Sequence, residues 1–148
     1  MGLEFGQLPY GLQVRSTGRL VSADVATLPY PGIATDYKPL IITMLSVADG
    51  VGVVTENLYP GRFRYVEELR RLGADIALDG HHAVVTGVPE LVGCDVESHD
   101  IRAGAAMVVA GLAATGTTRI GGIHHIDRGY DDLVGRLQRV GAEIERID

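Results

Sequence analysis

The sequence predicts an α/β fold built by repeating one strand–helix–strand–helix–strand–strand unit. Three observations predict it. Two similar blocks, Thr35 to Asp79 and His99 to Glu145, run through the same patterns in the same order. Each opens with an acid where a helix should begin, Asp36 and Asp100, then has an apolar helical stretch, a glycine turn and a β-branched strand. Each carries an arginine after that strand, Arg62 and Arg128, and closes on an amphipathic helix ending Leu72-Gly-Ala or Val140-Gly-Ala. Such self-similarity means that one supersecondary unit is reused, with neighbours covering each other's apolar faces. Features common to both blocks should build the fold. Features confined to one are candidates for function.

Residues 3 to 16 and 19 to 27 read as strands, with a turn at Ser16-Thr-Gly18. Two prolines and a glycine make 28 to 33 a loop. Thr35 or Asp36 can cap a helix with Pro39 in its first turn, running to about Ala48 and ending at Asp49-Gly50. Val51 to Glu56 is a β-branched, buried strand. A helix from about Tyr65 to Leu72 follows, then a hairpin of Asp75 to Leu78 and Ala83 to Thr86 across Asp79-Gly80. The second block repeats the plan. Cys94 to Glu97 is a strand, and Asp100 caps a helix to about Ala114. Thr117 to Ile120 is a strand, and 121 to 129 is mostly loop. Tyr130 to Val140 is a helix, and Ala142 to Ile147 is the last strand.

The chain has 148 residues, enough for one domain with a core, with 46% hydrophobic and 22% charged residues. A net charge of −6 without a basic tract argues against a nucleic-acid partner, although local arginine sites for small anions remain open. The single cysteine, Cys94, excludes an intrachain disulfide and suits a reducing cytosol. The start lacks the basic and apolar regions of a signal peptide. The longest apolar stretch, Ala103 to Ala114, is too short for a bilayer, so no membrane partner is expected. A cytoplasmic protein is the expectation.

Three places could carry chemistry. In Asp100-Ile-Arg102-Ala, a helix N-terminus favours an anion and Arg102 adds a planar fork for phosphate or carboxylate. The first block has Tyr37-Lys38 there, so Arg102 is not demanded by the fold; it could equally be an exposed arginine paired with Asp100. His125-Ile-Asp127-Arg128-Gly-Tyr130 packs a histidine, an acid, an arginine and a tyrosine into a strand-to-helix loop. The alternative is that Asp127 caps a helix and Arg128 is solvated. Asp36, after Thr35, could accept a proton from a hydroxyl or could simply cap its helix. His81-His82 and His124-His125 are adjacent pairs whose side chains should diverge, and no spacing suits zinc. Cys94 has no base or cationic cluster near it in sequence. No metal or cofactor is expected.

The runs from Ala26 to Asp36, from Thr55-Glu56 through Arg62-Phe63 to Leu72-Gly-Ala, Asp100 to Ala103, and His125 to Tyr130 resemble the UDP-N-acetylglucosamine branch of the enolpyruvyl transferases. The resemblance spans about Val21 to Ile147, and the His-Ile-Asp-Arg-Gly-Tyr string separates this branch from the shikimate-pathway one. It implies an inside-out α/β barrel made of βαβαββ units, three to a domain. About two and a half units would be present: 1–27 as remnant strands of an incomplete first unit, and 28–148 as two units of one domain. It implies transfer of the enolpyruvyl group of phosphoenolpyruvate to the 3′-hydroxyl of UDP-N-acetylglucosamine, a step of peptidoglycan precursor synthesis. Asp36 then matches the proposed proton acceptor, and Arg102 and Arg128 match arginines that grip phosphoenolpyruvate. Thr35 and Leu58 fall where the nucleotide is held, Leu58 through its backbone. The family's N-terminal lysine–asparagine pair and cysteine loop have no counterpart here. The resemblance therefore implies a truncated or split transferase, inactive alone. The alternatives are a half-enzyme completed by a separate N-terminal chain, or a non-catalytic binding or assembly module that forms homo-oligomers.

Overall fold

The computed structural model describes residues 1–147. The two long helices lie inside, with the sheets outside them. α1 (Lys38–Ser46) and α3 (Ile101–Ala113) pack on each other, and α2 (Val66–Arg71) packs beside α3. Both long helices are apolar around most of their circumference, as buried helices must be. Ile42 and Leu45 of α1, Leu69 of α2 and Met107 of α3 are wholly inaccessible. In α1, Thr43 and Ser46 return their hydroxyls to the Pro39 and Ile42 carbonyls, so both polar groups are satisfied in the core.

A four-stranded sheet covers one side. β3 (Val25–Ala26) runs parallel to β4 (Val51–Thr55), which pairs antiparallel with β6 (His82–Thr86), and β5 (Asp75–Asp79) closes the other edge. β4 and β6 alternate, with Val54, Ala83 and Val85 turned inward. In the second block β7 (Asp95–Glu97) runs parallel to β8 (Arg119–Gly121). The opening part of the repeat is visible, with α1 joining the parallel pair β3–β4 as α3 joins β7–β8. Gly73 and Gly141 end corresponding helices at φ +93 and +95, a left-handed position that suits glycine.

The edges differ from expectation. Residues 3–16 are not one strand but a hairpin, β1 (Leu3–Leu8) against β2 (Gly11–Ser16), turning at Pro9-Tyr10 and not at 16–18. The strand expected over 19–27 shrinks to β3. The Asp24 carboxylate accepts the Val53 N–H, and Arg19 holds Asp49 and the Val47 carbonyl. These side chains supplement a short backbone bridge, in which Ser22 N–H donates to the Asp49 carbonyl and Asp49 N–H to the Leu20 carbonyl. The hairpin leaves Phe5, Leu12 and Val14 together on one exposed face.

The second block holds an extra short helix, α4 (His124–Asp127), where a loop was expected. α5 (Leu133–Arg139) starts three residues late, because Asp132 adopts φ 48 and caps it through Gly135 N–H. Ala142 to Ile147 forms no strand. β5 has β6 to pair with, whereas 142–147 have no neighbouring strand among the described residues. The adjacent histidines do not diverge: ring centroids lie 4.0 Å apart in both pairs. No helix among the described residues is long and apolar enough to cross a membrane.

Gly87 shows how closely the parts approach. A Cβ there would lie 1.5 Å from the Ala48 carbonyl oxygen, which is backbone and cannot swing away. Gly87→Ala is therefore expected to cost about 2 kcal/mol or more, a fall in Tm of roughly 4–8 °C by circular dichroism. Gly18→Ser, at an exposed bend with open space, should cost less.

Candidate functional site

The site is organised by a carboxylate that sequence reasoning passed over. Glu56 directly follows β4, is 1% exposed, and has five partners. Oε1 accepts from Thr27 Oγ1 (2.7 Å), Leu58 N (2.8 Å) and Tyr59 N (3.0 Å). Oε2 accepts from Thr35 Oγ1 (2.5 Å) and lies 2.7 Å from Lys38 Nζ. Burial alone would raise its pKa, but Lys38, Thr35, Thr27 and the Leu58 N–H outweigh burial and hold the carboxyl far below the usual range. Lys38 opens α1 and is also buried, with Phe63's ring 3.9 Å from Nζ. Burial lowers its pKa, Arg62 and Arg102 lower it further, and Glu56 opposes them.

Above this pair, Asp36 meets two arginines. Its Oδ1 lies 3.2 Å from Arg102 Nη1 and 3.7 Å from Arg62 Nη1. Asp36 does not cap α1. It sits in a 3-10 turn (Thr35–Tyr37) without a side-chain cap bond, and the arginines draw its carboxylate outward. Thr35 is likewise committed to Glu56. Arg102 joins both of its sequence-based readings: it pairs with Asp100 at 3.1 Å and with Asp36. Asp100 does cap α3, accepting from Arg102 N and Ala103 N. Burial opposes its ionisation, but these N–H donors and the Arg102 guanidinium keep its pKa below the usual value. The N–H groups of the α3 end are thus partly spent, so the anion affinity here resides in the guanidiniums.

Between these residues lies a cleft of about 180 Å³ lined by Thr35, Lys38, Arg62, Arg64, Tyr65 and Arg102, among others. Thr35 and Arg102 line it, and Asp36 reaches Arg102 and Arg62 at its rim. Arg128 does not line the cleft, and Leu58 spends its N–H on Glu56. Asp127 caps nothing; it ends α4 and pairs with Arg146 through both oxygens, at 3.0 and 2.7 Å. That pairing lowers its pKa. Arg128 has no ion-pair partner among the described residues.

The sequence matches the family described as EPSP synthase (3-phosphoshikimate 1-carboxyvinyltransferase) over residues 1–137. The chain belongs to this EPSP synthase family. Within it, the sequence is 48% identical over 146 residues to a UDP-N-acetylglucosamine 1-carboxyvinyltransferase of Corynebacterium efficiens, covering 99% of this chain and 35% of that protein. It is 49% identical over the same length to the protein of that name from Mycobacterium tuberculosis, with the same coverage. The chain thus spans about a third of the length of the curated relatives it matches. Its structure superposes on the enolpyruvyl transferase NikO from Streptomyces tendae with a TM-score of 0.87 at 28% identity, covering 98% of this chain and 34% of that one. An EPSP synthase from Acinetobacter baumannii has the same fold at 19% identity and a TM-score of 0.68, with coverage of 99% and 35%. The fold is that of the enolpyruvyl transferases, represented here by part of a domain.

The Glu56 carboxylate predicts a pH response. Its folded pKa is depressed, so its contribution is complete above its ordinary 4.5 and is lost as pH falls below that value. Glu56→Gln leaves Lys38 buried without a counter-charge and should cost about 3–5 kcal/mol at pH 7. Glu56→Gln combined with Lys38→Met should recover part of that loss. Urea unfolding at pH 7 and pH 4 checks all three: the wild-type advantage over Glu56→Gln must shrink at the lower pH.

Proposed function

We propose that this chain is part of a UDP-N-acetylglucosamine 1-carboxyvinyltransferase and carries one wall of its active site. The observation that supports this best is Asp36 held between Arg62 and Arg102 at the rim of a cationic cleft. In the reaction, the acceptor oxygen bonds to C2 of phosphoenolpyruvate as C3 takes up a proton, and C3 gives up a proton as the C2–O bond to phosphate breaks. Asp36 accepts the hydroxyl proton as the C–O bond forms. Arg102 and Arg128 hold the phosphate and carboxylate of phosphoenolpyruvate, and fixed charge stabilises the anionic intermediate. Thr35 and the Leu58 backbone border the nucleotide. The acceptor is UDP-N-acetylglucosamine, and the step serves peptidoglycan synthesis in the cytoplasm.

The cleft volume supports inactivity of the chain by itself. About 180 Å³ suits a small anion, whereas sites for drug-sized ligands are roughly 300–1,000 Å³. A nucleotide sugar needs a second wall, and chemistry of this kind needs water excluded. The isolated chain should release no phosphate from phosphoenolpyruvate plus UDP-N-acetylglucosamine. Turnover by it, abolished by Arg102→Ala, would overturn that claim. Replacing the matching third of the Mycobacterium tuberculosis relative with this chain tests the residues. The chimera should turn over, and Asp36→Ala, Arg102→Ala and Arg128→Ala should each lower kcat about a hundredfold or more. Unchanged kcat in the Asp36 and Arg102 variants would sink the assignment.

The exposed apolar face of the first hairpin favours a second reading, self-association of the chain. Sedimentation should then show a mass that rises with concentration, and Phe5→Ser should reduce it. A strict monomer at all concentrations would exclude this reading.

A further inference from the structure

Lys38 is the only lysine of the chain, whose other permanently charged cations are all arginine, and the fold buries it to 1% exposure. That placement is costly twice over. An ammonium is a compact, strongly hydrated charge that resists burial. It also opens α1, where the helix dipole disfavours a cation. Pairing with Glu56 does not by itself explain the residue. The carboxylate is saturated by five partners, four of them neutral hydroxyl or backbone donors.

The shortage lies on the other side of the pair. Lys38 has three N–H donors, and beyond its ion contact with Glu56 and the face of the Phe63 ring it meets no N or O acceptor. Tyr65 Oη, in a side chain 5% exposed, has no partner either. Both residues line the cleft that Arg62, Arg64 and Arg102 also border. Of its lining residues, these two hold the buried side-chain polar atoms left unsatisfied, and both are donors. Burial raises the Tyr65 pKa, so it remains a phenol and can donate. What two buried donors beside three guanidiniums lack is an acceptor-rich anion. The internal repeat agrees: Lys38 follows Asp36 by the same step that Arg102 follows Asp100. Both blocks therefore send a cation from the same position into one cleft.

We propose that Lys38 is a substrate-contacting cation of this cleft, donating together with Tyr65 Oη to an oxyanion of the small ligand that the arginines attract. The inference rests on the proposed transferase reading and adds a residue to it. The oxyanion is a carboxylate or a phosphate group, of a size that 180 Å³ admits. Glu56 keeps one Lys38 N–H and turns the others toward the cleft.

A single lysine makes the test direct. The full chain grown with ¹³Cε,¹⁵Nζ-lysine and ¹⁵Nε-arginine gives one lysine side-chain signal beside those of the arginines. Phosphoenolpyruvate, inorganic phosphate and pyruvate are titrated in separately at constant ionic strength. The Lys38 signal should shift saturably with phosphoenolpyruvate. Inorganic phosphate or pyruvate alone should reproduce the shift, according to which group sits at the floor. Lys38→Gln and Tyr65→Phe should each weaken phosphoenolpyruvate binding about tenfold or more. If the arginine side-chain signals move while Lys38 stays still, or Lys38→Gln binds as the wild type does, the Lys38 assignment falls and the transferase reading stands. If no anion moves any of these signals, the Lys38 assignment and the anion-binding role of the cleft fall together. The wild-type titration decides even where a variant does not fold.

Discussion

The Glu56 carboxylate is the constraint on which the site depends. An ionised carboxylate cut off from water costs several kcal/mol unless protein groups replace its hydration. Here the replacements come from separate stretches of chain: Thr27, Thr35 with Lys38, and the Leu58–Tyr59 backbone. Asn57 adds a second tie, its N–H to Thr27 Oγ1 and its side-chain amide to the Thr27 carbonyl. The start of the 28–33 loop, the start of α1 and the loop after β4 are thus pinned to one point. Asp36 follows Thr35, and Arg62 follows the pinned loop. Their meeting is a consequence of how Glu56 is satisfied.

Two kinds of ion pair meet here, and burial divides their roles. The Lys38–Glu56 pair is inaccessible, so breaking it leaves an uncompensated buried charge. The Asp36 contacts with Arg62 and Arg102 lie at the rim, with the Asp36 side chain 67% exposed. Exposed pairs of this kind are worth about 0–1 kcal/mol, so an incoming anion can take the guanidiniums from Asp36 at little cost. Such an exchange would free the carboxylate as the ligand arrives. The floor is rigid and the rim is exchangeable, which is what pre-placed charge requires: donors fixed before the charge develops, and a base that is not locked away.

The sequence made the elements legible where local pattern decides them. α1, α2, α3 and the β4–β6 ladder follow from period, β-branching, the Asp100 cap and the glycine stops. It failed at 19–27 and 142–147, because a strand is made by a partner, and partners are not local. Of the site, Asp36 and Arg102 were legible as candidates, but their contact joins two helix starts far apart in the chain. Glu56 was hidden as the polar end of an apolar strand, and Lys38 stood only as the first block's counterpart of Arg102. One signal was available: a lone lysine placed where a helix dipole repels it. That combination marks a residue held by something other than local preference.

The two acids that mark the repeat show how a duplicated unit comes to hold unlike residues. Asp100 stands at the cap position itself, in extended backbone, and gives Oδ1 to two N–H groups of α3. Asp36 lies one step inside its turn, after Thr35, and the cap position falls on Ala34, which has no oxygen to offer. Thr35 could not serve instead, because its hydroxyl belongs to Glu56. The second block has glycines, Gly121-Gly122, where β8 ends, and so no buried carboxylate competes for its cap. One buried acid in one copy therefore changes what the matched acids do. Asp100 becomes structure and Asp36 is released to the rim. The matched cations divide in the same way, with Lys38 drawn down to Glu56 and Arg102 left to reach across to Asp36.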